Sequence, residues 1–401
     1  MSRGARSVSP TVAVHGLFVV FGLVIAAFFP FLAIYLNARG VDASRIGLLI
    51  TIMAIARVVF LPVWGHLSDT RLGRTSALRI GTIGTAIFAA LMNVVRGFWG
   101  LAAISFLVSV FMVAIGPNVD AIALIHLGDE RMSDYGRIRG WESVSYAAGC
   151  LLLGAVLQSI GVRWAMPAFS VMVLSVLAWS STIASDRPSE IAEHGRLGAV
   201  GAVFKEAPRF WGFLAAVLLL WTGFNAAWNF FSLKIEQAGG GPLLVGLGTA
   251  LGGVAEVAVM RLSVKLHKRY GLRLVYVAGC CVYAIGFLSW GLVSSPRLVA
   301  TFTVFEGTAF ALIFTTAVVI VGRLVPPRLY STGNSIAAMV AFGIGPIIGA
   351  GAGGFVFQYL GAGVLFGGAA ILALSAGAVA WFALAIPRLS EPGSANASPI
   401  A

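Results

Sequence analysis

The sequence predicts an all-α membrane protein, with twelve transmembrane helices arranged as two six-helix bundles. Three observations lead there. Twelve apolar stretches take up nearly all of the 401 residues, each long enough to cross a hydrocarbon core of ~30 Å as a helix. Hydrophobic residues make up 59% of the chain and charged residues only 10%, against about 25% charged in soluble domains. The only long polar connection, Ser185 to Pro208, divides the stretches six and six.

In chain order the stretches cover 12–36, 46–66, 77–96, 98–126, 140–159 and 163–183, then 209–233, 244–264, 273–294, 297–323, 333–358 and 361–386. The first follows Arg3 and Arg6, as a signal peptide would. It is far longer than a secretory apolar core of about 7–15 residues, so it reads as a retained first helix. Residues 1–184 form the N-terminal bundle, 185–208 the central loop, and 209–401 the C-terminal bundle with a short tail. Loops on the side of the termini and the central loop hold 20 of the 27 Lys and Arg, the opposite loops hold 6, and Arg57 lies within a stretch. Positive charge gathers on the cytoplasmic side, so both termini and the central loop are expected there, in the inner membrane of a bacterium.

The net charge of +12 is accounted for by these loops, and no nucleic-acid partner is expected. Cys150, Cys280 and Cys281 all lie in apolar runs and show no disulfide framework or metal-ligand spacing. The 49 glycines suit close approach of helix backbones in a membrane. No phosphate-binding loop, nucleophile elbow, zinc spacing or haem signature occurs, so neither an enzyme nor an ATP-driven pump is expected.

Three charges interrupt the apolar stretches: Arg57, Glu256 and Glu306. Each costs about 2.5–3.5 kcal/mol at a helix centre, so a chain rarely keeps one without a partner or a task. Counted at 1.5 Å per residue, they lie roughly 16, 18 and 14 Å into their stretches, near the midplane where carrier sites sit. An intramembrane carboxyl beside a second one is suited to taking up and releasing a proton. Glu256 and Glu306 are therefore candidates for proton coupling, with a structural hydrogen bond as the alternative. Arg57 is placed to grip a carboxylate bidentately, or to pair with an acid on a neighbouring helix.

Trp221, Asn225, Trp228, Asn229 and Ser232 follow steps of 4, 3, 1 and 3, which puts them on one face of the seventh stretch. Such a face suits a ring-bearing, hydrogen-bonding solute, although packing explains the tryptophans nearly as well. Gly345, Gly349 and Gly353 repeat beside Pro346 in the eleventh stretch, which suits close packing and bending.

The halves echo each other. GHLSDTRLGRT follows the second stretch and KLHKRYGLR the eighth, with Gly73 and Gly271 at an offset of 198. GHLSDTRLGRT resembles the signature loop of the major facilitator superfamily, Gly-x-x-x-Asp-Arg-x-Gly-Arg-Arg, at Gly65, Asp69, Gly73 and Arg74, with one extra residue before the glycine. FFPFLAIYLNARG, ARVVFLPVWGHLSD, VDAIAL, YGRIRGWESVSYAAG, GGVAEV and FEGTAFAL are similar to the phenylpropionate permease branch, which is related to lactose permease and the nucleoside–proton symporters. The resemblance implies a major facilitator fold and a proton symporter of small organic solutes. It assigns the Val-Ala-Glu-Val acid to Glu256 and the helix 2 arginine to Arg57.

Asp120 and Arg139 resemble the acid–arginine pair that lactose permease uses for sugar, with a gate or structural ion pair as the alternative. Glu142 reads as their partner. Asp69 would meet the start of the eleventh helix as a conformational latch, together with Gly65, Gly73 and Arg74. Two departures matter: the family's Trp-Gly-Ser is Trp141-Glu142-Ser143, and the His common in helix 10 is Glu306.

The expected function is alternating-access symport of protons with a small organic solute, an aromatic or other organic acid ahead of nucleosides and sugars. The expected partners are that solute, protons and the lipid bilayer, for a monomer that uses the proton gradient and no cofactor. A proton-driven exporter of hydrophobic compounds is the first alternative. A membrane sensor on a carrier scaffold is the second, and neither the central loop nor the tail is long enough to fold as a signalling domain.

Overall fold

The computed structural model describes residues 10–127, 135–183 and 197–385. The terminal segments, part of the loop before the fifth stretch and most of the polar part of the central loop lie outside them. The described residues are helical throughout, with no strand among them. Among the described residues, ten helices are long and apolar enough to cross a membrane. One of these, Pro242–Leu292, has 51 residues and would extend about 76 Å, far beyond one bilayer. Gly271 interrupts it at φ 77°, ψ 160°, so it is two spans. A further helix, Arg74–Leu91, carries two arginines in its first two turns and completes the twelve.

We number these α1 (Val12–Ala38), α2 (Ala43–Leu72), α3 (Arg74–Leu91), α4 (Phe98–Leu127), α5 (Tyr135–Ile160) and α6 (Ala165–Ser180). The second set is α7 (Pro208–Gln237), α8 (242–270), α9 (272–292), α10 (Pro296–Leu324), α11 (Pro327–Tyr359) and α12 (Ala362–Ala383). The chain divides into two compact units, Met1–Arg39 with Ile52–Glu193, and Gly40–Thr51 with His194–Ala401. Large apolar side chains remain exposed on the helices, among them Phe382 (77%) and Ile371 (66%). In water such a surface would be a liability, whereas hydrocarbon is its natural solvent.

The duplication is visible in the backbone. Gly73 (φ 75°, ψ 154°) and Gly271 (φ 77°, ψ 160°) adopt the same conformation at the same joint. Gly40 and Gly239, and Gly161 and Gly361, form further positive-φ pairs at nearly the same spacing. This region is open to glycine and costs any other residue about 1–3 kcal/mol. Gly271→Ala is therefore expected to lower stability by about that amount, measured as a drop in the thermal unfolding midpoint in detergent. Gly65→Ala, at a helical position with open space around it, should not lower the midpoint.

Glycine also sets the helix crossings. In the first unit, Gly149 lies against Ala26, and Gly84 against Phe111. In the second, Gly345, Gly349 and Gly353 of α11 lie against Trp221, Asn225 and Ala226 of α7. Another face of α11 meets the start of α2, where Gly354 lies against Gly47 and Gln358 Oε1 accepts from the Ala43 amide (3.0 Å). At the crossing of α8 and α10, a Cβ on Gly307 would overlap the carbonyl of Gly252.

Three spans predicted as continuous are broken. Helix α1 turns at Phe29–Phe31 around Pro30, α4 at Val113–Ala114 ahead of Pro117, and α10 at Phe302. Pro30 has no N–H for the Ala26 carbonyl, and the Cys150 thiol lies 4.0 Å from that oxygen. Asn118 Nδ2 donates to the Ala114 carbonyl at the α4 break (2.7 Å). Within the central connection, Leu197–Glu206 forms a helix. Its apolar residues fall at 197, 200, 203 and 204, a helical spacing hidden within the overall polarity of the loop.

Candidate functional site

In the first unit, Arg57 is partly buried in α2. Its guanidinium carbon lies 5.7 Å from the centre of the Phe29 ring, a cation–π contact at the α1 break. Among the described residues no carboxylate stands within ion-pair distance of it. Phe29 is 40% exposed, while the preceding Phe28 is buried against Phe169. The break thus turns one ring toward Arg57, a pairing the sequence spacing did not reveal.

A second cluster joins α4 and α5. Tyr135 donates its hydroxyl hydrogen to Asp120 Oδ1 (2.7 Å) and accepts from Arg139 Nη1 (3.3 Å). Arg139 lies 3.8 Å from Asp120 and 3.8 Å from Glu142. The structure therefore brings together Asp120, Arg139 and Glu142, with Tyr135 as an unforeseen bridge between acid and guanidinium. The signature loop forms its own pair, in which Arg74 donates to Asp69 Oδ1 at 3.2 Å. Asp69 sits in a widened π turn, Ser68–Leu72, that ends on Gly73. Gly65 lies one turn earlier in open space.

In the second unit, the break in α10 places Glu306 in the first turn of its longer segment. That end of a helix carries the partial positive charge of unpaired N–H groups, so an acid is well placed there. Glu306 is only 7% exposed. Its Oε2 faces the α8 backbone, where a Cβ on Gly252 would stand 3.2 Å away. Thr303 closes the break by donating to the Gly248 carbonyl of α8 (2.6 Å). Glu256 is half-buried on α8, one helical turn past Gly252, the residue that Glu306 faces. The two predicted coupling residues thus both lie near the crossing of α8 and α10, where two glycines let the backbones meet.

The α7 stripe divides by residue type. Trp221 is buried and packs edge-on against Phe224, Phe310 and Phe342 at 5.2, 5.9 and 4.6 Å. Trp228, half-buried, stacks on Phe224 and Phe231 at 6.0 and 5.7 Å. Asn225 and Asn229 each spend one amide N–H on their own helix, to the carbonyls of Trp221 (2.8 Å) and Asn225 (2.7 Å). Both are partly exposed, and Ser232 is buried.

The chain matches a family model, described as the MFS_1 like family, over residues 13–367. It is 30% identical to a probable 3-phenylpropionic acid transporter of Escherichia coli (strain K12), over 84% of this chain and 89% of that one. It is 25% identical to a maltose permease of Geobacillus stearothermophilus, over 87% and 88%. The crystal structure of the nucleoside transporter NupG superposes with a TM-score of 0.81 at 15% identity, covering 94% of this chain and 99% of that one. The POT family transporter PepTSo superposes with a TM-score of 0.72 at 10% identity, over 93% and 97%. The fold agrees with these likenesses: the chain belongs to the MFS_1-like family and is a multi-pass membrane transporter of the major facilitator type.

Proposed function

We propose that this transporter carries a small organic solute together with protons by alternating access. An aromatic or other organic acid is the first substrate class, with nucleosides or sugars next. The observation that carries the reading is the pair of intramembrane acids, Glu306 facing Gly252 beside a broken helix and Glu256 one turn along α8 from that glycine. Membranes retain such groups for ion pathways and proton relays, and discontinuous helices are where carriers bind ions and solutes. Arg57 supports an acidic substrate, because a guanidinium without a carboxylate partner can pair with one brought by the solute. Asp120 and Arg139, with the amides of Asn225 and Asn229, offer hydrogen bonds, and Trp221 and Trp228 offer ring surface. Asp69, Arg74 and the joint at Gly73 act as the conformational latch. The 3-phenylpropionic acid named for the Escherichia coli relative suits the same chemistry. The protein works as a monomer in a bacterial inner membrane with both termini in the cytoplasm, and needs no cofactor.

The test is external pH in a lightly buffered suspension of de-energised cells, with aromatic acids, nucleosides and sugars added singly. One solute is expected to make the medium more alkaline, and Glu256→Gln should reduce that signal to the level of cells lacking the protein. No pH change with any solute, alongside loss of labelled hydrophobic compounds from energised cells, would establish an exporter instead.

A further inference from the structure

The Gly271 end of α8 carries a charge pattern that solute transport does not use. At the offset that aligns Gly73 with Gly271, Asp69 of the first half corresponds to His267 of the second. Asp69 balances Arg74 in its joint. His267 instead is buried, with Nε2 at 2.9 Å from Thr316 Oγ1. Thr316 gives its own hydrogen to the Leu312 carbonyl, so Nε2 is the donor in that pair. Its side chain is turned into the protein, and the segment Arg261–Arg273 contains no acid at all.

The cations of this segment face outward. Arg261, Lys265, Lys268 and Arg269 are all exposed, and steps of 4, 3 and 1 line them along one side of the helix. Arg273, just past the joint, lies over the Trp381 ring at 3.7 Å, and Arg269 over Tyr270 at 5.3 Å. Among the described residues, no carboxylate pairs with any of the five. Exposed Leu262 (49%) and Val264 (58%) flank the stripe. At 1.5 Å per residue α8 is about 43 Å long, some 13 Å more than a hydrocarbon core of ~30 Å. An overhang at the Gly271 end brings its last turns to headgroup depth, where Trp and Tyr anchor and basic side chains meet phosphate.

We propose that this stripe binds the headgroups of anionic phospholipids and so anchors the α8–α9 joint in the bilayer. Charge complementarity, the aromatic anchors and the overhang all suit a lipid phosphate at this depth.

Thermal unfolding of the full-length protein in non-ionic detergent tests this, titrated with phosphatidylglycerol, phosphatidylcholine or inorganic phosphate. Phosphatidylglycerol is expected to raise the midpoint, and the other two to leave it unchanged. The Lys265→Gln/Lys268→Gln/Arg269→Gln variant should need about tenfold more phosphatidylglycerol, or greater, for the same rise. An Arg96→Gln/Arg163→Gln/Arg297→Gln variant, of equal charge loss, should respond as the parent does. Equal responses from both variants would overturn the proposal, and a rise with inorganic phosphate would make it a free-anion site. Should the first variant not fold, the parent decides the matter alone. Its response must weaken as salt rises from low to about 0.5 M, since screening shortens the reach of the charges, and a salt-independent response would refute headgroup binding.

Discussion

Glu306→Gln is expected to abolish net proton-driven uptake, down to the level of cells without the protein, while leaving stability within about 1 kcal/mol of the parent. The two outcomes diverge for a physical reason. A glutamine keeps the volume and hydrogen-bonding reach of a protonated acid, so the packing against Gly252 and the break at Phe302 is preserved. The site is only 7% exposed, and because isolated buried charge is costly a neutral amide is well tolerated there. What it cannot do is pick up or release a proton. Uptake under an imposed pH gradient and the unfolding midpoint, measured on the same preparation, separate the two effects. A variant that transports normally would remove Glu306 from the coupling machinery, and one that unfolds would make it structural.

Gly307→Ala should do the opposite, failing first as a folded protein. Inside a helix alanine is favoured over glycine by about 1 kcal/mol, so propensity alone predicts a small gain. The added Cβ would fall on the Gly252 carbonyl oxygen, with the Gly252 carbonyl carbon 2.6 Å away. This is backbone, which cannot turn aside as a side chain would. Overpacking of this kind costs about 1–3 kcal/mol or more and outweighs the propensity gain. A lower unfolding midpoint, with weaker transport from a separated α8 and α10, is the expected result. Gly363→Ala, at a helical position with open space around it, should transport as the parent does and unfold at the same midpoint or slightly above it.

Much of this architecture is legible in the chain because a membrane leaves so few solutions. Apolar length reports each span, and loop Lys and Arg report a preferred side. Gly73 and Gly271 mark equivalent joints because glycine takes up that backbone conformation without the strain it imposes on other residues. Depth along the stretches also singled out Arg57, Glu256 and Glu306 without any contact information. The breaks were less visible. Pro30 and Pro117 are permitted in membrane helices and need not interrupt them, and Phe302 has no local breaker residue beside it. The Tyr135 bridge and the Phe29 contact depend on which side chains meet across helices, which periodicity within one helix does not encode. The α7 stripe shows the same limit. Its spacing groups tryptophans with asparagines, while packing turns the rings into an aromatic cluster with Phe224 and Phe231.

The helix Leu197–Glu206 changes how the chain would be cut into halves. Trp211 of α7 stacks on Phe204 (3.5 Å) and donates to its carbonyl, and Arg328 at the start of α11 pairs with Glu206. These contacts make the last part of the connector a component of the second unit, held at both of its neighbours. As a tether, the connection is therefore shorter than its residue count suggests. A split gene that starts its second half at Pro208 would leave this brace on the wrong fragment, whereas one that starts upstream of Leu197 keeps it whole.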